Sequence, residues 1–286
     1  MKDLEGKVAL VTGAAAGIGL AMAERFANEG MQVILADRDI GGATEAARKL
    51  VDGGLKAHAI AVDVTVSGEV EELADEVFRD YGNVHLLCNN AGVLGRVQAS
   101  WEQPIENWRW VFDVNVLGVA NGLHYFLPRM VEAGEQGYVL NTGSVAGLLS
   151  GPFFAPYNAS KHAVVAMSEC LHHELRAVGS RIEVGVLCPG WVHTGLADFE
   201  DKAPDTVKQA NAKSAASRQA QERDVAVRKM VADSIGPEKI AEIVVEAVTE
   251  GRFYIFPHPE RKADIRVRME TILEERIPSF GPPPPK

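Results

Sequence analysis

The chain has 286 residues, enough for one large α/β domain or two modest ones. With 47% hydrophobic and 24% charged residues it has the composition of an ordinary globular protein. A formal net charge of -10 argues against a nucleic-acid or anionic-membrane surface, because both bind basic patches.

The N-terminal MKDLEGKVAL carries charges where a signal peptide needs an apolar run. No apolar segment is long enough to span a bilayer, so a cytoplasmic protein is expected. Short apolar runs then alternate with stretches of helical periodicity. The runs are KVALVT, QVILAD, KAHAIAVDV, VHLLCNN, GYVLNTG and RIEVGVLCP. They show little alternation, as strands covered on both faces do. After the first run, Ile18, Met22 and Phe26 recur every four residues, and Gly30 offers a helix stop. Repeated strand–helix units predict a doubly wound α/β fold with a parallel sheet.

From Asp198 to Asp233 the chain is polar, contains Ala and Lys, and has no strand signal. A mobile lid and a surface helix pair fit it equally. A last helix, PEKIAEIVVEAVTEG, and a last strand, RFYIFP, complete the pattern. A charged helical extension follows from Glu260, and GPPPPK reads as a disordered or polyproline tail. No repeat or linker marks a second domain. The three cysteines, Cys88, Cys170 and Cys188, are odd in number and lack metal-type spacing. Reduced, buried thiols are expected.

LVTGAAAGIGLAMAERF follows the first strand and opens the first helix. Gly13, Gly17 and Gly19 are spaced G-x-x-x-G-x-G. Glycine there permits a tight bend and close approach of a pyrophosphate, and the helix N-terminus adds free N–H groups and a positive dipole end. A ligand-free glycine turn is the bland alternative, but the strand–helix context favours the phosphate site. Asp37 ends the second strand, where a carboxylate would accept from the ribose diol of NAD and repel the 2′-phosphate of NADP. Arg38 beside it would pair with that phosphate, which keeps NADP open. A solvated strand end is the third reading. Asp63-Val64 and Asn90-Ala91-Gly92 end the third and fourth strands, on the edge where open sheets bind ligands. Asp63 would bond an adenine amine, while Asn89 and Asn90 read at least as well as ties between strands.

Further along, DVNVLGV sets Asn115 in an apolar helical stretch, where an unpaired amide is costly. NTGSVAG carries Ser144 just after the fifth strand. PYNASKHAV then places Tyr157 and Lys161 four residues apart, on one helical face. Taken alone, that pair fits an acid–base couple or simple packing. His172 and His173 are adjacent and point in different helical directions, so no catalytic metal is expected.

In order and spacing, TGAAAGIG (12–19), NNAG (89–92), Asn115, Ser144, YNASK (157–161) and PGWVHT (189–194) resemble a classical short-chain dehydrogenase/reductase. The resemblance runs over about residues 5 to 255. It implies a Rossmann-type sandwich with a sheet of about seven parallel strands and helices on both faces. It also implies one catalytic domain over residues 1–258, with a substrate lid near 195–235, and an extension over 259–286. The implied reaction is NAD(P)-dependent interconversion of a secondary alcohol and a ketone.

In that pattern Tyr157 is the general acid/base. Lys161 lowers its pKa together with the nicotinamide charge, and also bonds the nicotinamide ribose. Ser144 holds the substrate oxygen, and Asn115 positions a water linking Lys161 to solvent. Cofactor contacts are implied at Gly13, Ala15, Ala16, Gly17, Ile18, Gly19, Asp37, Arg38, Asp63, Val64, Asn90, Ala91, Gly92, Tyr157, Lys161, Pro189, Gly190, Val192 and Thr194. Trp191 departs from the small or apolar residues usual at its place, and reads as a pocket wall or as packing. With Val145, Phe153 and Phe154 it makes a mostly apolar, aromatic wall; Leu148, Gly95 and Arg96 are further candidates. That wall predicts a hydrophobic alcohol or ketone. The segment FYIFPHPERK is similar to a subgroup that includes lignin-derived aryl-ether Cα-dehydrogenases, which implies an aromatic alcohol. An NADP-dependent ketone reductase and a non-catalytic, NAD-responsive regulatory protein are the competing readings. A homodimer or homotetramer, built on the helices bearing Asn115 and Tyr157, is also implied.

Overall fold

Runs such as Val33-Ile34-Leu35-Ala36 send alternate side chains to opposite faces, so a strand made of them needs cover on both sides. A computed structural model, which describes residues 1–213 and 218–279, supplies that cover. Its strands are Val8–Thr12 (β1), Gln32–Asp37 (β2), Ala57–Ala61 (β3), Leu86–Asn89 (β4), Gly137–Thr142 (β5), Ile182–Leu187 (β6) and Tyr254–Ile255 (β7). They form one seven-stranded sheet in the order β3-β2-β1-β4-β5-β6-β7, and every pairing is parallel.

The helices are Gly17–Asn28 (α1), Ile40–Asp52 (α2), Ser67–Tyr81 (α3), Ile105–Phe112 (α4), Gly118–Ala133 (α5), Ala155–Ala177 (α6), Phe199–Lys202 (α7), Asp205–Lys213 (α8), Arg218–Ala232 (α9), Pro237–Glu250 (α10) and Arg261–Leu273 (α11). Val33 and Leu35 pack with Met22 and Phe26 of α1, Leu50 of α2 and Val244 of α10. Ile34 and Ala36 pack on the other face with Leu73 and Val77 of α3, Phe126 of α5 and Leu171 of α6. The doubly wound Rossmann-type architecture is therefore present, with α7 to α9 between β6 and α10. The GPPPPK tail lies outside the described residues. Among the described residues, no helix is long and apolar enough to cross a membrane.

The strand order reverses at β1, which pairs with β2 on one side and β4 on the other. Such a reversal opens a crevice at the carboxyl ends of the strands. Polar side chains pin that edge. Asn90 donates from Nδ2 to the Thr12 carbonyl at 3.0 Å and accepts from the Thr142 hydroxyl at 3.1 Å, tying the ends of β1, β4 and β5. Deeper in, Asn89 donates to Asn141 at 2.9 Å, and Asn141 donates to Ser168 of α6 at 3.0 Å.

Three expectations need correction. β3 stops at Ala61, before Asp63 and Val64, because the Asp63 carboxylate accepts the Thr65 N–H at 2.9 Å and the Thr65 hydroxyl at 2.7 Å, which turns the chain. Asn115 sits in a π-type turn, Asp113–Leu117, between α4 and α5 rather than in a regular helix. Cys170 is exposed, unlike Cys88 and Cys188, since α6 turns Ser168 and Leu171 inward and leaves Cys170 outside.

Replacing Asn90 tests the pinned edge. Asn90→Ala strands the Thr12 carbonyl and the Thr142 hydroxyl. The expected loss is about 1–3 kcal/mol, seen as a lower urea midpoint with an unchanged slope. An unchanged midpoint would show that these bonds contribute nothing net.

Candidate active site

The first turn of α1 has the features of an anion cradle. Gly13 and Gly17 take positive φ, +67° and +58°. A Cβ at Gly19 would lie 2.1 Å from the Gly13 carbonyl oxygen, so only glycine lets the loop close over the helix start. Ala16 precedes the helix without a side-chain cap, and the first turn holds no acidic residue. The amides there are left for a ligand anion. Asp37 is aimed at this loop: its Oδ2 accepts from Ala15 N and its Oδ1 from Asp39 N, both at 2.9 Å. Arg38 donates to the Lys202 carbonyl at the end of α7, and both residues line the same cavity. These residues fit a dinucleotide with an unphosphorylated ribose.

Ser144, Tyr157 and Lys161 come together on the wall of the same crevice. Ser144 follows β5 and starts a short 3-10 turn, Val145–Gly147. Its Oγ accepts from Ala146 N at 3.1 Å and donates to the Pro189 carbonyl at 3.3 Å. Tyr157 stands in the first turn of α6, which opens on Pro156. Burial pushes its phenol up to about 12, and a hydrogen bond with the Ser144 hydroxyl works the other way. Lys161 is buried, 5.7 Å above the Tyr157 ring centre, and donates to the Thr142 carbonyl at 2.7 Å. Burial pulls its ammonium down to about 8. Desolvation therefore dominates both groups in the chain alone, and the expected lowering of Tyr157 by Lys161 is not seen there; only the Ser144 hydrogen bond acts in that direction.

Asn115 is fully buried and does not face the crevice. Its Oδ1 accepts from Val93 N at 2.8 Å, and its Nδ2 donates to the Val93 carbonyl and to Ser160 Oγ. Ser160 in turn donates to the Tyr157 carbonyl at 2.8 Å. The amide thus clamps the loop after β4 to the first turn of α6. Gly92 separates it from the lysine: a Cβ there would meet Asn115 Oδ1 at 3.4 Å and Lys161 Nζ at 3.5 Å.

The crevice is a cavity of about 1210 Å³, roomy beside a typical small-molecule pocket of about 300–1,000 Å³. Every residue expected at the cofactor lines it, from Gly13, Ala15, Ala16, Gly17, Ile18 and Gly19 to Pro189, Gly190, Val192 and Thr194. Asp63, Val64, Ala91 and Gly92 do too. Of the expected substrate wall, Val145, Phe154 and Trp191 face the cavity.

Phe153 does not line it. Its backbone takes φ +73°, and its ring lies 3.7 Å from the Arg223 guanidinium carbon. Leu148 packs instead with Val165 and Cys188, and Gly95 and Arg96 lie beside Asn107, off the cavity wall. Leu149, Ala226, Lys229, Met230, Ile235, His258 and Arg261 line the cavity and were not foreseen. Ala226 and Met230 had a signal in their four-residue spacing. His258 and Arg261 had none, because only the fold returns the end of the chain to this place.

Comparison with known proteins agrees with this geometry. The family model for short chain dehydrogenases matches residues 7–205. The chain is 35% identical to a 1-deoxy-11-beta-hydroxypentalenate dehydrogenase of Streptomyces exfoliatus, over 99% of this chain and 94% of that one. It is 28% identical to a C alpha-dehydrogenase of a Sphingobium species, over 99% of this chain and 90% of that one. Among solved structures, a short chain dehydrogenase/reductase from Burkholderia phymatum, in complex with NAD, is 40% identical with a TM-score of 0.94, over 99% of this chain and all of the other.

The buried ammonium makes stability depend on pH. Lys161 falls from 10.5 to about 8 on folding. Below about pH 8 both states hold the proton, and the folded chain bears the full desolvation cost. Between about 8 and 10.5 the folded chain loses it first, so stability rises with pH. Lys161→Met removes that rise. The Tm of the variant minus that of the parent should fall from about pH 8 to pH 9, below the range near pH 10 in which Tyr157 begins to add its own effect. A flat difference would contradict the buried charge.

Proposed function

Because the chain belongs to the short-chain dehydrogenase family, we propose that it is an NAD-dependent oxidoreductase that interconverts a hydrophobic secondary alcohol and its ketone. The observation that carries this reading is the meeting of Ser144, Tyr157 and Lys161 in the cavity that also holds the glycine turn and Asp37. Bound there, NAD would accept the hydride and add a positive charge beside the phenol.

The chain's own groups handle the proton. In alcohol oxidation Tyr157 takes it from the substrate hydroxyl. Ser144 donates a hydrogen bond to the same oxygen, and Lys161 favours the phenolate. In the chain alone burial keeps the proton on Tyr157. Asn115 acts at one remove, by clamping the first turn of α6 to the loop after β4.

The preference for NAD rests on Asp37, whose charge stands at the ribose end of the cavity, and on Arg38, which bonds the Lys202 carbonyl instead of waiting for a phosphate. That arrangement disfavours the NADP-dependent ketone reductase. The complete Ser144, Tyr157 and Lys161 cluster disfavours a regulatory protein without activity. Residues 1–258 serve as one catalytic domain, with α7 to α9 as the lid. Val227 and Val231 of α9 seat that lid against Leu94, Val97, Phe154 and Trp191.

The substrate end is walled by Leu149, Phe154, Trp191, Met230 and Ile235, which suits an aromatic alcohol. Full-length likeness to a C alpha-dehydrogenase supports the same class. The protein would work in the cytoplasm as a homodimer or homotetramer joined through α4, α5 and α6, near which Ile105 and Leu117 lie exposed.

Tyr157→Phe should lower kcat for alcohol oxidation by about 100-fold or more, with NAD binding retained in a fluorescence titration. Unchanged turnover would remove the acid–base assignment. A panel of alcohols read by nicotinamide absorbance should give a higher kcat/KM with NAD than with NADP, and turnover of aryl carbinols. Preference for NADP, or turnover confined to steroids, sugars and small polyols, would overturn those two parts in turn.

A further inference from the structure

We propose that His258 is a positioning residue for Ser144, acting through the single peptide unit that joins Pro189 to Gly190. The inference rests on the reading of Ser144 as the group that holds the substrate oxygen. His258 lies after β7, beyond the stretch matched by the family model. It stands between Pro257 and Pro259, whose fixed φ angles restrict the backbone on both sides of it. The Cys188 N–H, bonded to the Ile255 carbonyl at 2.8 Å, holds this segment to the end of β6.

From there the imidazole lies against Gly190, where an added Cβ would be 3.2 Å from its Cγ. Its Nδ1 accepts the Gly190 N–H at 2.9 Å. The same amide presents its other end to the active site. The Pro189 carbonyl accepts from Ser144 Oγ at 3.3 Å and from Val145 N at 2.9 Å.

A peptide unit is planar and conjugated, so its two hydrogen bonds are coupled. Donation of the N–H to a strong acceptor leaves more negative charge on the carbonyl oxygen, which then holds its own donors more firmly. The imidazole therefore fixes the plane of the Pro189–Gly190 amide and strengthens its hold on the Val145 N–H, next in chain to Ser144, so the serine oxygen keeps its place when its one proton turns from the Pro189 carbonyl to the substrate oxygen. Ser144 has one hydroxyl proton and two acceptors within reach, the Pro189 carbonyl and the Tyr157 oxygen. Without Nδ1 the Gly190 N–H loses its partner, the turn is free to tilt, and the serine oxygen drifts from its place beside the phenol. The geometry also sets the tautomer. An Nδ1 that accepts a hydrogen bond carries a lone pair, so the neutral ring holds its proton on Nε2.

The test is a double-mutant cycle on the full-length protein at saturating NAD, with His258→Phe to remove the acceptor and His258→Asn to keep one at the δ position. His258→Phe should lower kcat about tenfold, with a change in the alcohol KM under about twofold, the size expected for one lost positioning hydrogen bond. His258→Asn should recover most of that loss. In a Ser144→Ala background His258→Phe should cost nothing further, because the residue it positions is gone. A tenfold loss that persists in Ser144→Ala, an Asn variant no better than Phe, or an unchanged kcat in His258→Phe overturns the proposal. A Ser144→Ala protein with full activity would instead overturn the reading of Ser144, and the two failures are distinct. If His258→Phe does not fold, imidazole 15N signals of the unmutated protein decide: a proton on Nε2 supports the relay and a proton on Nδ1 overturns it.

Discussion

A buried ammonium needs a hydrogen-bond acceptor, and the Thr142 carbonyl is the one Lys161 has. Much of the site follows from that bond. Thr142 is the last residue of β5, at the carboxyl edge of the sheet. Its hydroxyl bonds Asn90, which bonds Thr12, so the lysine is anchored to three strand ends at once. The anchor also sets the height of α6 over the sheet edge, and hence of Tyr157 one turn earlier. Gly147 permits the close packing this requires, since a Cβ there would lie 2.5 Å from the Lys161 carbonyl oxygen.

The same burial makes the couple costly in the resting chain. The phenol is driven up, so it keeps its proton and lacks the charge that proton transfer from an alcohol requires of it, while the ammonium, drawn down to about 8, keeps its charge only below that pH. A pair at the surface would escape this cost, but solvent would screen its mutual effect. The site instead holds Lys161 buried and Tyr157 half-buried, and the large apolar clusters on the two faces of the sheet offset the expense. Asn115 belongs to this logic as well. Its amide has three bonds inside the protein and ties the loop after β4 to Ser160, which bonds the Tyr157 carbonyl.

What was legible in the sequence was what depends on local spacing. The strands show as apolar runs, the phosphate turn as three glycines between strand and helix, and Tyr157–Lys161 as one helical face. The end of β3 reads two residues too far, at Asp63 and Val64, because the apolar run continues into the Asp63–Thr65 turn that stops the strand. Phe153 and Phe154 were not separable. They are neighbours of the same chemistry, and the positive φ at Phe153 decides that only Phe154 faces the cavity. His258 and Gly190 are 68 residues apart, and no periodicity connects them. Contacts of that kind exist only once β7 has paired with β6.

This division has a consequence for how the molecule evolves its selectivity. The residues proposed to handle the proton and the dinucleotide lie before Gly195, on strand ends and on the first turns of α1 and α6. Met230, Ile235, His258 and Arg261, which line the cavity together with the earlier Leu149, Phe154 and Trp191, lie after it, on α9 and α11, on the connection between α9 and α10 and on the segment following a two-residue strand. Those later elements carry few ladder constraints, so they tolerate substitution without moving Lys161 or Asp37. The relay from His258 to Ser144 is where the two halves meet, because a change in the segment after β7 reaches the reacting oxygen through one peptide plane.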